Sequence, residues 1–81
     1  MDFEQSCTFM YGIMEELEDE QKLHMYGLYK QATGGDAPQN EPSAFDLLGN
    51  AKWNAWNKHR NGSKRDAKKE YKRIARELCK P

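Results

Sequence analysis

The stretch that decides the fold is Leu23–Thr33, which reads Leu-His-Met-Tyr-Gly-Leu-Tyr-Lys-Gln-Ala-Thr. Tyr26 and Lys30 are four residues apart with Tyr29 between them, so in a helix all three side chains project from one side. Phenol hydroxyls, a flat ring and an ammonium group on one surface are suited to hold a phosphate beside an aromatic base. The alternative is that both tyrosines lie at the edge of the core and Lys30 is solvated, and the stretch alone leaves both open.

Length and composition indicate one small helical domain covering residues 1–81, standing alone or as a module of a longer protein. The chain is 37% hydrophobic and 32% charged, which is typical of a soluble, helix-rich protein. No apolar run approaches the roughly 18 residues of a membrane span, and no signal-peptide pattern is present. We therefore expect a cytoplasmic protein.

The formal net charge of zero hides a segregation along the chain. Residues 1–46 contain ten acidic and two basic side chains, whereas residues 47–81 contain eleven basic and three acidic ones. Either the two halves attract each other and the remaining charges are solvated, or the basic half faces an anionic partner such as a nucleotide, a nucleic acid or a membrane.

Neither a metal site nor a catalytic centre is predicted. Cys7 and Cys79 lack metal-ligand spacing and are expected to be reduced and partly buried. His24 and His59 are far apart in the sequence. No Ser-His-Asp or Cys-His constellation and no paired carboxylates point to one site, so an enzyme is the least favoured class.

Apolar periodicity and turn signals predict four helices and no strand, at about residues 2–14, 20–33, 49–59 and 64–79. Asp19 is the predicted N-cap of the second helix, which Gly34 and Gly35 end. Ser63 caps the fourth helix, with Asp66 three residues later as in a capping box. The predicted seam of helix one is Phe3, Cys7, Met10 and Met14, and that of helix four is Ala67, Tyr71, Ile74, Ala75 and Leu78.

The long segment between helices two and three carries topological information. A helix of about 14 residues is roughly 21 Å long, and a dozen extended residues reach nearly 40 Å. Residues 34–47 can therefore run back along helix two and start helix three parallel to it. The short connections between helices one and two and between helices three and four instead favour an antiparallel arrangement of the helices that they join.

Two segments in combination resemble the acyl-CoA-binding protein family: Tyr-Gly-Leu-Tyr-Lys-Gln-Ala-Thr at residues 26–33 and Ala-Lys-Trp-Asn-Ala-Trp-Asn at residues 51–57. The match extends over nearly the whole chain, through Gly35, Asp36, Pro42, Phe45, Asp46, Gly49, Ser63, Ala67 and Tyr71. The resemblance implies an all-α four-helix bundle, up-down-down-up, with a long loop between helices two and three.

The resemblance also implies non-covalent binding of long-chain fatty acyl-CoA as an intracellular carrier, without catalysis or a cofactor. In the family, the residue matching Tyr29 stacks on adenine, and those matching Tyr26, Lys30 and Lys52 hold the ribose 3′-phosphate. The tyrosine matching Tyr71 closes the nucleotide side. Implied partners are fatty acyl-CoA and, transiently, membranes or acyl-CoA-using enzymes, with no nucleic acid and a monomeric state.

The acyl chain is expected in a groove between helices two and three, for which the candidate residues are Met25, Leu47, Leu48, Ala51 and Trp53. Plain packing in the core would explain each of these five residues equally well. Further candidates for the ligand site are Tyr11, Gly27 and Leu28. Many family members carry lysines near the phosphates where this chain has Tyr11 and Leu48, and a basic residue where it has Asn50. Lys22 stands at a usually apolar position near the acyl path.

Two other function classes stay open. A nucleic-acid or anionic-membrane binder is suggested by the seven basic residues between Lys64 and Arg76, although such a run is also typical of a solvated helix face. A protein-interaction bundle that kept the fold and lost high-affinity ligand binding is suggested by the missing lysines.

Overall fold

The computed structural model describes residues 1–80 and contains four α-helices. They are α1 (Phe3–Ile13), α2 (Asp19–Gly34), α3 (Leu47–Asn57) and α4 (Lys64–Cys79), with a single 3₁₀ turn at Met14–Glu16 between α1 and α2. No strand occurs within residues 1–80. The predicted all-α, four-helix architecture is confirmed.

The helix starts follow from side-chain capping, with one correction. The Asp2 carboxylate accepts from the backbone N–H of Gln5 at 2.8 Å, and the Gln5 side chain accepts in return from the backbone N–H of Asp2, which completes a capping box. Ser63 caps α4 as predicted, because its hydroxyl accepts from the Asp66 amide at 2.9 Å. The prediction that Asp19 caps α2 is wrong: Asp19 is already helical, and Glu18 is the N-cap without a side-chain bond. The acidic first turn still suits the positive end of the helix dipole.

The start of α3 also differs from the prediction. The helix begins at Leu47 rather than Gly49, because the Asp46 carboxylate accepts from the Gly49 amide at 2.8 Å and acts as N-cap. It ends at Asn57, before a tight turn in which Asn61 has a positive φ of 72°.

Helix α2 is central, since it packs against both α3 and α4, while α1 packs against α4. Lys52 lies against Tyr26, and Trp56, one turn later, lies against Lys30, so α2 and α3 run in the same direction. The core is formed by Met10, Met25, Leu28, Ala32, Ala67, Tyr71 and Ala75, with Phe3, Cys7, Phe9, Ile13, Leu17, Ile74 and Leu78 packed around it. Both predicted seams reach this core, except that Met14 lies outside it.

The loop between α2 and α3 is fixed onto α3 by side-chain donors. Gly35 ends α2 with a positive φ of 80°, a conformation that glycine adopts without steric cost. The indole N–H of Trp56 donates to the Gly35 carbonyl at 2.7 Å, and that of Trp53 donates to the Pro38 carbonyl at 2.8 Å. Arg60 donates to the Ala37 carbonyl at 2.7 Å. The loop therefore returns along the bundle to the start of α3.

Both cysteines are free; Cys7 is half-buried, but Cys79 is exposed, contrary to the expectation of partial burial. Cys79 is the last residue of α4 and lies outside the buried seam. In the part of the chain that the structure describes, none of the helices has the length and apolar character needed to cross a membrane.

Candidate functional site

A cleft of about 300 Å³, which we call the tyrosine cleft, lies between α1, α2 and α4. Its largest contribution comes from α2, where Met25, Tyr26 and Tyr29 share one side of the helix. The complete lining is Cys7, Tyr11, Met14, Met25, Tyr26, Tyr29 and Tyr71. Five of these residues are predicted site residues. Cys7 and Met14 are not, because seam positions on an amphipathic helix are typical of core residues.

Tyr29 belongs to a cluster of three rings. Its ring stacks against Phe3 with centroids 6.3 Å apart and lies 6.4 Å from the Tyr71 ring. Phe3 meets Tyr71 edge to face at 5.3 Å. Tyr29 remains 42% exposed, whereas Tyr71 is buried. The cluster therefore holds a flat, partly exposed ring in a fixed orientation, as stacking on an aromatic base requires.

Tyr71, a member of this cluster, and the adjacent Cys7 are both kept neutral. Burial raises the pKa of the Tyr71 phenol, and the adjacent Cys7 thiol raises it further. Burial likewise raises the pKa of Cys7, with Tyr71 partly opposing the shift. Because neither group forms an anion near pH 7, the deep end of the cleft does not repel a bound phosphate.

Each predicted phosphate-binding lysine rests against an aromatic ring of the facing helix. The Lys52 ammonium on α3 lies 5.5 Å from the centre of the Tyr26 ring on α2, and the Lys30 ammonium on α2 lies 4.8 Å from Trp56 on α3. The ion pairs found within residues 1–80 involve other side chains. These two lysine–ring pairs hold both cations at the α2–α3 junction without neutralising them.

A close approach of the two helices brings these pairs together. Gly27 is buried, and a Cβ atom placed on it would overlap the backbone carbonyl of Ala55 on α3. Leu28 is 3% exposed and packs in the core. Neither residue is part of the cleft lining, so the structure gives both a packing position; a direct ligand contact from either stays a prediction.

The candidates for the acyl groove are not gathered in one cavity. Met25 is 1% exposed and forms part of the cleft floor, whereas Leu47 and Leu48 are 80% and 64% exposed on the first turn of α3. Ala51 is half-buried. Trp53 is turned toward the loop by its bond to Pro38. The groove itself therefore stays a prediction.

A second cleft, of about 360 Å³, lies between α2, α4 and the turn after α3 and was not predicted. His24 and His59, distant in sequence, face each other here with ring centroids 5.9 Å apart. Burial lowers the pKa of His59, and the nearby His24 and Lys58 lower it further. Within residues 1–80, no three His, Cys, Asp or Glu side chains converge as a metal site would require.

Comparison with known proteins identifies similar chains over nearly the full length. A family model described as acyl CoA binding protein matches residues 1–75. Diazepam-binding inhibitor-like 5 of Rattus norvegicus is 39% identical over 80 residues, covering 99% of this chain and 92% of that protein. Acyl-CoA-binding protein homolog 1 of Caenorhabditis elegans is 33% identical over 78 residues, covering 96% and 91%. The crystal structure of Oryza sativa acyl-CoA-binding protein 2 is similar with a TM-score of 0.88 and 34% identity, covering 94% of this chain and 84% of that one.

Proposed function

The chain belongs to the acyl-CoA-binding protein family, and from this membership we propose that it binds long-chain fatty acyl-CoA esters non-covalently, as a cytoplasmic carrier that maintains an acyl-CoA pool. The observation that carries the proposal is the position of the tyrosine cleft beside the two lysine–ring pairs. An aromatic platform next to two unneutralised ammonium groups matches the adenine and phosphates of CoA.

In the proposed head-group site, the partly exposed Tyr29 ring stacks on adenine, and Phe3 stacks against the same ring and holds it in place. Tyr26, Lys30 and Lys52 bind the ribose 3′-phosphate. A phosphate carries close to two negative charges near pH 7, so charge-assisted donors from two helices suit it. Tyr71, neutral and buried, closes the nucleotide side.

The acyl chain is proposed to fold back under the head group toward the junction of α2 and α3. Each buried methylene contributes about 0.8 kcal/mol, so a long chain adds more binding free energy than an acetyl group. Leu47 and Leu48, which are 80% and 64% exposed, are apolar groups that such a chain would cover. Tyr11, 86% exposed at the rim of the cleft, stands where the family resemblance implies a lysine, and its phenol supplies no charge.

Proteins of this family are binding proteins rather than enzymes, and we propose the same for this chain. The half-buried Cys7 is a poor nucleophile, because burial raises its pKa and leaves the thiol protonated. We further propose that residues 1–81 form one acyl-CoA-binding domain that works as a monomer without a cofactor.

A second candidate function rests on the exposed apolar side chains Phe45, Leu47 and Leu48. They would serve a protein-interaction module that kept the fold and lost high-affinity ligand binding. Ligand titration separates this candidate from the carrier.

The test is a calorimetric titration of the purified chain with palmitoyl-CoA, acetyl-CoA, CoA and free palmitate. We expect saturable one-to-one binding of palmitoyl-CoA, weaker binding of acetyl-CoA and CoA, and no comparable binding of palmitate. Equal affinity for palmitate and palmitoyl-CoA would refute head-group recognition. Absence of palmitoyl-CoA binding would refute the carrier function and favour the interaction module.

A further inference from the structure

Helix α4 separates its charges onto two sides. Its buried seam, which includes Ala67, Tyr71 and Ala75, fixes the rotation of the helix against the core. Spacings of three, four and seven residues then place one set of bases on a common side. We call this set the basic face: Arg65, Lys68, Lys69, Lys72 and Arg76, which alone line a surface depression of about 600 Å³.

The acids of the same helix lie on its other flank. Asp66 and Glu70 are four residues apart, and both line the histidine-containing cleft between α2 and α4. The ion pairs present among residues 1–80 are Arg73–Glu70 and Lys80–Glu77. The basic face therefore carries five cations without a carboxylate partner in the described part of the chain.

The basic face adjoins the proposed ligand site. The Lys68 ammonium lies 5.5 Å from the centre of the Phe3 ring, and Phe3 in turn contacts Tyr29 and Tyr71 of the tyrosine cleft. An anionic surface in contact with this face would therefore lie beside the wall of the cleft.

We propose that the basic face docks the protein onto a bilayer surface containing anionic lipids, so that the tyrosine cleft exchanges its ligand close to the membrane. The proposal rests on the proposed function for its purpose, because long-chain acyl-CoA is amphiphilic and partitions into bilayers. Its physical basis is independent, since basic side chains near an anionic leaflet are attracted to it.

The shape and chemistry of the face favour a bilayer over a nucleic acid. All five side chains come from one helix and extend along about 17 Å of it, so the depression has no second wall that would enclose a nucleic-acid strand. It has no aromatic ring on which a base would stack and no amide side chain to read base edges. It also lacks apolar side chains, so we expect adsorption to the headgroups without insertion, weakened by salt.

The experiment is co-sedimentation of the full 81-residue chain with vesicles of phosphatidylcholine alone or with about 30% phosphatidylserine. The test variant is Lys69→Glu with Lys72→Glu, which leaves Lys68 and the cleft unchanged. The matched control is Lys58→Glu with Lys80→Glu, which changes the net charge equally at exposed positions outside the face. Circular dichroism and palmitoyl-CoA titration of each variant verify the fold and the ligand site separately.

We expect the wild type to bind phosphatidylserine vesicles and not neutral ones, with the test variant at least about tenfold weaker and the control within about twofold. Equal weakening in the control would overturn the proposal, because net charge alone would then explain binding. Wild-type binding that is equal for neutral vesicles, or absent for both, would also overturn it. So would tighter binding of random duplex DNA than of anionic vesicles at equal salt. If the wild type binds phosphatidylserine vesicles but does not bind palmitoyl-CoA, the proposed function is refuted and the docking surface still stands.

Discussion

Gly27 offers the sharpest test of the packing that assembles the proposed site. Substitution by alanine places a Cβ atom onto the Ala55 carbonyl of α3, and a backbone atom cannot rotate away as a flexible side chain does. Overpacking of this kind typically costs about 1–3 kcal/mol, and a backbone clash belongs at the upper end. Alanine regains about 1 kcal/mol of helix propensity. The net expectation for Gly27→Ala is a loss of about 2 kcal/mol.

Gly12 supplies the matched control, because it is also helical and a Cβ atom added to it would meet no other atom within 4 Å. Gly12→Ala should therefore gain about 1 kcal/mol. In a domain of this size a change of about 1 kcal/mol corresponds to roughly 4–8 °C in Tm. In thermal unfolding followed by circular dichroism, the Tm of Gly27→Ala should fall by about 8–16 °C and that of Gly12→Ala should rise by about 4–8 °C. Equal stabilisation by both substitutions would refute the close α2–α3 contact.

Two further predictions concern the histidine-containing cleft and the loop. Because the pKa of His59 is lowered in the folded protein, the unfolded chain takes up its proton first, and the free energy of unfolding should fall as pH drops below about 6.5. His59→Leu should reduce that slope in urea unfolding between about pH 5 and pH 8, and an unchanged slope would assign the pH dependence to other groups. Trp56→Phe removes the donor to the Gly35 carbonyl and should lower the free energy of unfolding by about 1 kcal/mol. Urea unfolding with no loss would show that this bond does not anchor the loop.

Much of the fold follows from local sequence signals. Helix α4 is predicted at its observed bounds, because Ser63 supplies a side-chain cap and the apolar seam is regular. The α2 end is set by the conformational freedom of Gly35. The starts of α2 and α3 are harder to predict. Glu18 caps α2 without a side-chain bond, and Asp46 caps α3 at the end of an irregular segment that contains several turn-forming residues.

The candidate site is harder to predict from the sequence. Periodicity shows which side chains share one face of a helix, but it does not show which other helix packs against that face. Cys7 and Met14 follow the seam of α1, and only the packing of α1 against α4 decides that they line a cleft. The same holds for the pair His24 and His59, which the packing of α2 against α3 brings together. The orientation of the Trp53 side chain depends on its hydrogen bond to the Pro38 carbonyl, which lies 15 residues away in a loop without regular structure.

The central claim, head-group recognition at the α2–α3 junction, is tested most directly by calorimetric titration of palmitoyl-CoA into Lys30→Ala and Lys52→Ala. Lys58→Ala is the matched control, because Lys58 is exposed and lies outside the site. Palmitoyl-dephospho-CoA, which lacks the 3′-phosphate, is the matched ligand. Head-group recognition predicts that Lys30→Ala and Lys52→Ala each bind palmitoyl-CoA at least about tenfold more weakly than the wild type, a loss of about 1.4 kcal/mol. The same two variants should bind palmitoyl-dephospho-CoA nearly as well as the wild type does, and Lys58→Ala should bind palmitoyl-CoA with nearly wild-type affinity. Wild-type affinity in both site variants would contradict it.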